Sequence, residues 1–136
     1  MDYSLFDDAK CISTIYKEKM PDLQNVEIVK MEIEPGEDAE ILITFDITEL
    51  PRELPSKWLL KGVNTIQIEI AFIGIEFIKF NLTNGCKCSL ALESKDGRKY
   101  ACFRNNIDDK EISLEAKWIL AKYISAYFKN TSEPTG

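Results

Sequence analysis

The sequence predicts an α+β domain, mostly β, in which an N-terminal helix packs on a twisted, mainly antiparallel sheet or partly closed barrel of about six to seven strands. Three patterns predict it: an apolar stripe at helical spacing near the start, period-two alternation through most of the rest, and turn residues between the alternating runs. The length of 136 residues fits a single domain. We expect a helix at 1–20, a β core at 22–122, and a short end with a frayed tail at 123–136.

The N-terminal helix is predicted over residues 4–19. Its apolar stripe is formed by Leu5, Ala9, Ile12, Ile15 and Tyr16. Ser4 can cap the helix, and Asp7 and Asp8 would lie in its first turn, where negative charge is favourable. Pro21 ends it.

An antiparallel hairpin is predicted to follow the helix, joining strands at 26–34 and 39–48. Pro35-Gly-Glu-Asp38 supplies the turn between them. The apolar phase of the first strand slips between Ile28 and Val29, which is typical of a bulge.

The middle of the chain is predicted to be a loop and then a long strand. Two prolines in 50–58 forbid a central strand there, and we interpret Trp58 as a core residue that anchors the loop. Alternation runs from Thr65 to Phe80 and is interrupted at Gly74.

A second hairpin and a terminal strand are predicted after that. Residues 86–92 and 98–104 alternate on either side of Ser94-Lys-Asp-Gly97, whose Asp-Gly pair supplies the positive φ angles of a tight turn. Residues 112–120 alternate as a strand, although 114–125 also fit one helical face. We predict a strand over 111–121 paired with 98–104, then an irregular end.

Charge is distributed unevenly along the sequence. Residues 1–50 carry thirteen acids and four bases, whereas 51–136 carry ten acids and thirteen bases. An acidic portion repels nucleic acid and anionic membranes and would steer a basic partner inward, although a solvated surface explains it equally well. The predicted partner-binding residues are Asp7, Asp8, Glu37, Asp38 and Asp46. The alternative anchors are aromatic residues of the C-terminal half: Tyr100, Phe103, Tyr123 and Tyr127.

Residues that carry catalytic or metal chemistry are scarce. The sequence has no histidine, which removes the commonest general base and most zinc sites. Cys86 and Cys88 would share one strand face that Cys102 could approach, but we expect these cysteines, with Cys11, to be reduced and structural. We predict no catalytic, cofactor-binding or metal-binding residues. With no signal peptide and no apolar run near 18 residues, we expect a cytoplasmic protein.

One arrangement in the middle of the chain resembles a known family. An acidic strand pair at 26–48 precedes Leu54-Pro-Ser-Lys-Trp58, then Asn64-Thr-Ile-Gln-Ile-Glu-Ile-Ala-Phe72, then Gly74-Ile-Glu76 and Ile78. A hairpin and a terminal strand follow. This order resembles the immunity protein 50 family of bacterial toxin–immunity systems over roughly residues 22–122, and Trp58 matches the family's tryptophan.

The resemblance implies a mostly β protein that neutralises a cognate toxin domain by direct binding in the cytosol, without catalysis. Many delivered toxins are basic nucleases, which agrees with the acidic balance. Our leading hypothesis is therefore an immunity protein that occludes a toxin's active site or substrate groove. The alternatives are a small-ligand-binding β domain with its pocket under the 50–62 loop, and an enzyme that uses carboxylates or cysteine.

Overall fold

The computed structural model describes residues 3–81, 87–105, 107 and 110–130. A 3-10 turn at Tyr3–Leu5 is followed by the elements α1 Lys10–Tyr16, β1 Val26–Glu34, β2 Glu40–Ile47, α2 Ser56–Lys61, β3 Thr65–Ile73, β4 Phe77–Asn81, β5 Lys87–Lys95, β6 Arg98–Arg104, β7 Glu111–Ala116 and β8 Trp118–Tyr127. These strands form one open antiparallel sheet of order β4-β7-β6-β5-β1-β2-β3-β8. The predicted mostly β fold is confirmed, with eight strands rather than six or seven.

The sheet folds over on itself. Strands β3 and β6 are four positions apart in the sheet order, about 19 Å in a flat sheet. Yet the rings of Phe72 and Phe103 are centred 6.4 Å apart, and those of Phe45 and Phe103 are 6.2 Å apart. The bend is possible because β1 and β5 share only two residue pairs. We call β1, β2, β3 and β8 the first half-sheet and β4, β5, β6 and β7 the second.

The core lies between the two half-sheets. It is filled by every second residue along the strands of both half-sheets, among them Ile41, Ile43, Phe45, Ile66, Ile68, Ile70, Phe72, Leu90, Phe103, Ile112 and Leu114. Residues from the N-terminal segment complete it: Phe6, Ile12 and Tyr16 are buried in the same cluster, and α1 contacts β8. The helix therefore packs on the inner side of the sheet and leaves the outer faces uncovered by α1.

Two strands change from one half-sheet to the other at a shared corner. β3 leads into β4 through Gly74, and β7 leads into β8 through Lys117. The Lys117 amide donates to the Ile73 carbonyl at 2.9 Å, and the Glu76 amide donates to the Glu115 carbonyl at 3.0 Å. A Cβ at Gly74, whose φ is +73°, would lie 2.9 Å from the Lys117 side chain. The corner therefore requires glycine at this position.

The N-terminal helix is shorter than the predicted 4–19. α1 has no side-chain cap, so Ser4 does not cap it. Asp7 and Asp8 lie before α1 rather than in its first turn, because their backbone hydrogen-bonds to the edge of β8. An edge strand has unpaired backbone groups that can bond these amides and carbonyls. The first turn of a helix would leave its amides without partners.

Most local β predictions are confirmed. The register of β1 on β2 shifts between Ile28 and Lys30, where the bulge was predicted. The β5–β6 turn has Asp96 at φ +53° and Gly97 at φ +78°, as the Asp-Gly pair predicts. β7 pairs with β6 along 99–104, which confirms the first part of the predicted terminal strand.

Two predictions, one for the middle of the chain and one for its end, are wrong. The predicted loop at 50–58 ends at α2, which begins at Ser56, so Trp58 lies on a helix and not in a loop; it does pack, half-buried, against the core as predicted. The terminal strand does not run unbroken to 121 and then become irregular, because it breaks at Lys117 and β8 continues to Tyr127 along the edge of β3. The β core thus extends past 122, and the tail from 131 onward lies outside the described residues.

Candidate functional site

Four of the five predicted partner-binding acids lie at one end of the first half-sheet. Glu37 and Asp38 occupy the β1–β2 turn. The carbonyl of the next residue, Ala39, accepts hydrogen bonds from the amides of Gly74 and Ile75 at the corner. In register, Glu40 lies opposite Ile73, and Ile73 lies opposite Trp118, where β8 begins. Asp7 and Asp8 run beside this start of β8. Backbone register therefore collects acids that are thirty residues apart in the sequence.

Asp7 and Asp8 form hydrogen bonds that support the local structure, and their side chains remain exposed. The Asp7 carboxylate accepts the Ile119 amide at 2.8 Å, and the Asp8 carboxylate accepts the Lys10 amide at 2.9 Å. The Asp8 carbonyl accepts the Ala121 amide at 2.7 Å. Each side chain therefore satisfies a backbone amide while adding negative charge to the edge of β8.

Asp46 lies elsewhere, at the opposite end of β2, and is only 4% exposed. Its carboxylate accepts the Gln67 amide at 3.0 Å, the Lys129 ammonium at 3.1 Å, and the Tyr127 hydroxyl. Lys129 also reaches Glu27 at 3.1 Å, and these two acids raise the pKa of Lys129. Burial and the bond to Asp46 raise the pKa of Tyr127. Asp46 points outward in the strand pattern, as predicted, but residues from the end of β8 and beyond cover it.

Three concave regions bear on the small-ligand alternative, of which one, mainly apolar and about 320 Å³, lies beside Phe77 and Ala91 on the second half-sheet. A polar pocket of about 300 Å³ opens beside Asp46 and Lys129. A third of about 590 Å³ lies between the end of α1 and Arg52 and Glu53, under the segment where a pocket was predicted. Its walls are mainly exposed charged side chains, whereas small-molecule sites are mostly apolar with a few polar groups.

The cysteines do not converge. Cys88 is buried in the core, as predicted, whereas Cys102 pairs with Ala91 on the outer face of the second half-sheet, so the two side chains lie on opposite faces. Cys86 lies outside the described residues. The described part of the chain has no cluster of three or more side chains that could ligate a metal.

Cys102 instead belongs to a hydrogen-bonded group around Glu111. The Cys102 thiol donates to the Glu111 carboxylate at 3.0 Å, and the Ser113 hydroxyl donates to it at 2.9 Å. These two bonds lower the pKa of Glu111 to about 2. Burial, followed by the bond to Glu111, raises the pKa of Cys102. A thiol held protonated is a poor nucleophile, and the arrangement does not favour a cysteine enzyme.

Comparison with protein families decides where the chain belongs. The model of the family Immunity protein 50 matches residues 8–127. The chain belongs to the immunity protein 50 family. Comparisons with curated proteins and with solved structures gave no match. The matched region spans α1 and every described strand through β8, more than the 22–122 on which the resemblance was recognised.

Membership of the immunity protein 50 family implies a toxin–immunity system, so the relevant side chains are those that a protein partner can reach. Of the four alternative aromatic anchors, Phe103 is fully buried, because it faces inward between Leu90 and Ile112. Tyr127 is bonded to Asp46. Tyr100 and Tyr123 remain accessible, and Tyr123 is the more exposed.

Trp118 is an accessible aromatic residue that the sequence pattern missed. In an unbroken strand it would share the inward face of Ile112 and Leu114. The corner at Lys117 reverses the phase, so that Ile119 is buried and Trp118 points outward, 43% exposed. A basic residue between two alternating runs is a weak indication of such a break.

No described helix is long and apolar enough to span a membrane.

Proposed function

We propose that this member of the immunity protein 50 family is a cytoplasmic protein that binds a cognate toxin domain and neutralises it by occluding its active site or substrate groove. The observation that carries the proposal is the family match over 8–127. The protein acts without catalysis of its own. Supporting this are the lack of histidine, the raised pKa of Cys102, and the low pKa of Glu111, which suits neither a general acid nor a base near neutral pH.

Charge supports a basic partner, such as a nuclease domain. The chain has a formal net charge of −6, and four acids, Asp7, Asp8, Glu37 and Asp38, are gathered at one end of the first half-sheet. Concentrated negative charge attracts a cationic surface over about one Debye length and repels nucleic acid and anionic membranes. Asp46 contributes indirectly, by holding the end of β8 in place.

Co-expression with the adjacent open reading frame tests the function. We expect the neighbouring toxin domain to co-purify with this chain and to lose its toxicity when the two are made together. The matched control is a toxin domain of a different immunity system, which should neither co-purify nor be neutralised. A cognate toxin domain that remains free and fully toxic contradicts the proposal.

Salt dependence tests the electrostatic part. We expect the on-rate to fall by about ten-fold or more as salt rises, while the off-rate changes less. Reversal of Glu37 and Asp38 to Lys should slow association, because both are exposed in the β1–β2 turn. Reversal of Glu18 and Glu53, exposed at the opposite end, is the matched control and should have a smaller effect. An on-rate that ignores salt rules out steering without affecting the family assignment.

A further inference from the structure

The outer face of the first half-sheet joins residues from both halves of the sequence. Outward residues pair across β2, β3 and β8 in three rows: Glu40–Ile73–Trp118, Leu42–Ala71–Leu120 and Thr44–Glu69–Tyr123. Directly opposed residues of antiparallel strands share a face and lie about 5 Å apart. Acids from the N-terminal half of the chain are thereby placed beside aromatic residues from its last described strand.

The centre of this face is apolar. Trp118 and Tyr123 are 43% and 58% exposed. Between their rows, Leu42 and Leu120 are half-buried over a fully buried Ala71. Large exposed aromatics around an apolar centre are typical of the energetically dominant part of a protein interface.

The charged residues around this centre include two carboxylates without an ion pair to a described residue. Glu40 and Glu69 form no ion pair within the described part of the chain, whereas Lys30 is held by Glu32 at 2.7 Å. The Lys117 ammonium lies 5.8 Å from the centroid of the Trp118 ring, so a cation of this chain already lies beside that ring. The face therefore combines two carboxylates that form no ion pair among the described residues, although Glu69 also interacts with Lys30, with exposed aromatic rings of the kind that accept lysine or arginine.

The outer face of the second half-sheet differs in charge. Arg98 binds Glu115 at 2.7 Å, while Lys79 and Arg104 approach Glu111 at 3.6 and 3.5 Å. Glu111 and Glu115 are therefore already compensated by bases of the same face, whereas Glu93 forms no ion pair within the described residues. Charge complementarity to a basic partner therefore favours the first half-sheet.

We propose that the toxin domain docks on the outer face of the first half-sheet, with Trp118 and Tyr123 as anchors and with Glu40 and Glu69 receiving its lysine or arginine side chains. This inference rests on the proposed function. It places the contact on the sheet face itself, while Glu37 and Asp38 at the adjoining turn act at the rim during approach. Of the residues named in the acidic and the aromatic hypotheses, Glu37, Asp38 and Tyr123 then belong to one surface.

The test measures binding of the toxin domain encoded by the neighbouring gene to single variants. Trp118→Ala and Tyr123→Ala should each raise Kd by about thirty-fold or more, chiefly through the off-rate. Phe77→Ala, at a similarly exposed aromatic on β4, is the matched control and should change Kd by less than about three-fold. Glu69→Lys should weaken binding more than Glu93→Lys on the second half-sheet.

A second measurement does not depend on a variant at the anchor position. In a Trp58→Phe background Trp118 is the single tryptophan, since the sequence has two. Its fluorescence should become protected from acrylamide quenching when the toxin domain binds. Anchor variants that bind like wild type, or a Trp118 that stays equally accessible in the complex, would overturn the inference and leave the proposed function standing. A wild-type chain that binds no toxin domain would overturn both.

Discussion

Replacing Asp46 with alanine separates a structural role from a contact role. The change leaves the Tyr127 hydroxyl and the Gln67 amide without their acceptor at a position that is 4% exposed. Each unsatisfied group costs about 1–1.5 kcal/mol. Lys129 adds little, because its side chain is 37% exposed and keeps Glu27. We therefore expect a loss of about 2–3 kcal/mol in the free energy of unfolding, or about 10 °C in Tm for a domain of this size.

Urea unfolding followed by far-ultraviolet circular dichroism measures this loss as a lower midpoint at an unchanged m value. Asp38→Ala makes the same chemical change at an exposed turn position, and should stay within about 0.5 kcal/mol of wild type. If Asp46→Ala is as stable as Asp38→Ala, the carboxylate is not holding the end of β8, and Asp46 returns as a candidate direct contact.

Three further predictions concern other parts of the fold. Hydrogen bonding holds the pKa of Glu111 at about 2 against an ordinary 4.5, so its contribution to stability is complete above pH 4.5 and is lost as pH falls towards 2. Glu111→Gln should flatten acid unfolding in that window, and an unchanged profile contradicts the assignment. Gly74→Ala should destabilise the protein by about 1 kcal/mol more than Gly97→Ala in urea titrations. Both glycines have positive φ, but only a Cβ at Gly74 would meet a neighbouring side chain, that of Lys117. Equal losses of stability would exclude this close approach. In thiol-reagent kinetics, the raised pKa of Cys102 should make it react slowly, and Cys88 should react only on unfolding; a disulfide or bound zinc in protein purified without oxidant contradicts both expectations.

Local chemistry made much of the fold predictable from the sequence. The β1–β2 and β5–β6 hairpins were recognised because each is encoded by alternation and turn residues within about twenty positions. The pairing of β8 with β3 was not, because a period shows that a strand exists and not which strand it joins. The corner at Gly74 and Lys117 was likewise hidden, since it depends on a contact between residues more than forty positions apart.

The site was less predictable than the fold. Alternation placed Asp46 on the outer face correctly, but the residue that covers it, Tyr127, is 81 positions away in the sequence. Phe103 was mistaken for an exposed anchor because aromatic character alone does not give the strand face. Trp118 was assigned to the inward phase, which the corner reverses.

The position of β8 has a consequence for newly made chains. Ile73 and Trp118 are paired in the sheet but lie 45 residues apart (118 − 73), which a ribosome takes roughly 2–9 s to add. Until then β3 has an unpaired, isoleucine-rich edge, which is prone to pair with other chains. On the proposed function, a nascent chain has no complete toxin-docking face until β8 emerges. Protection of a cell would then depend on fully synthesised immunity protein already present, rather than on synthesis that begins after the toxin arrives.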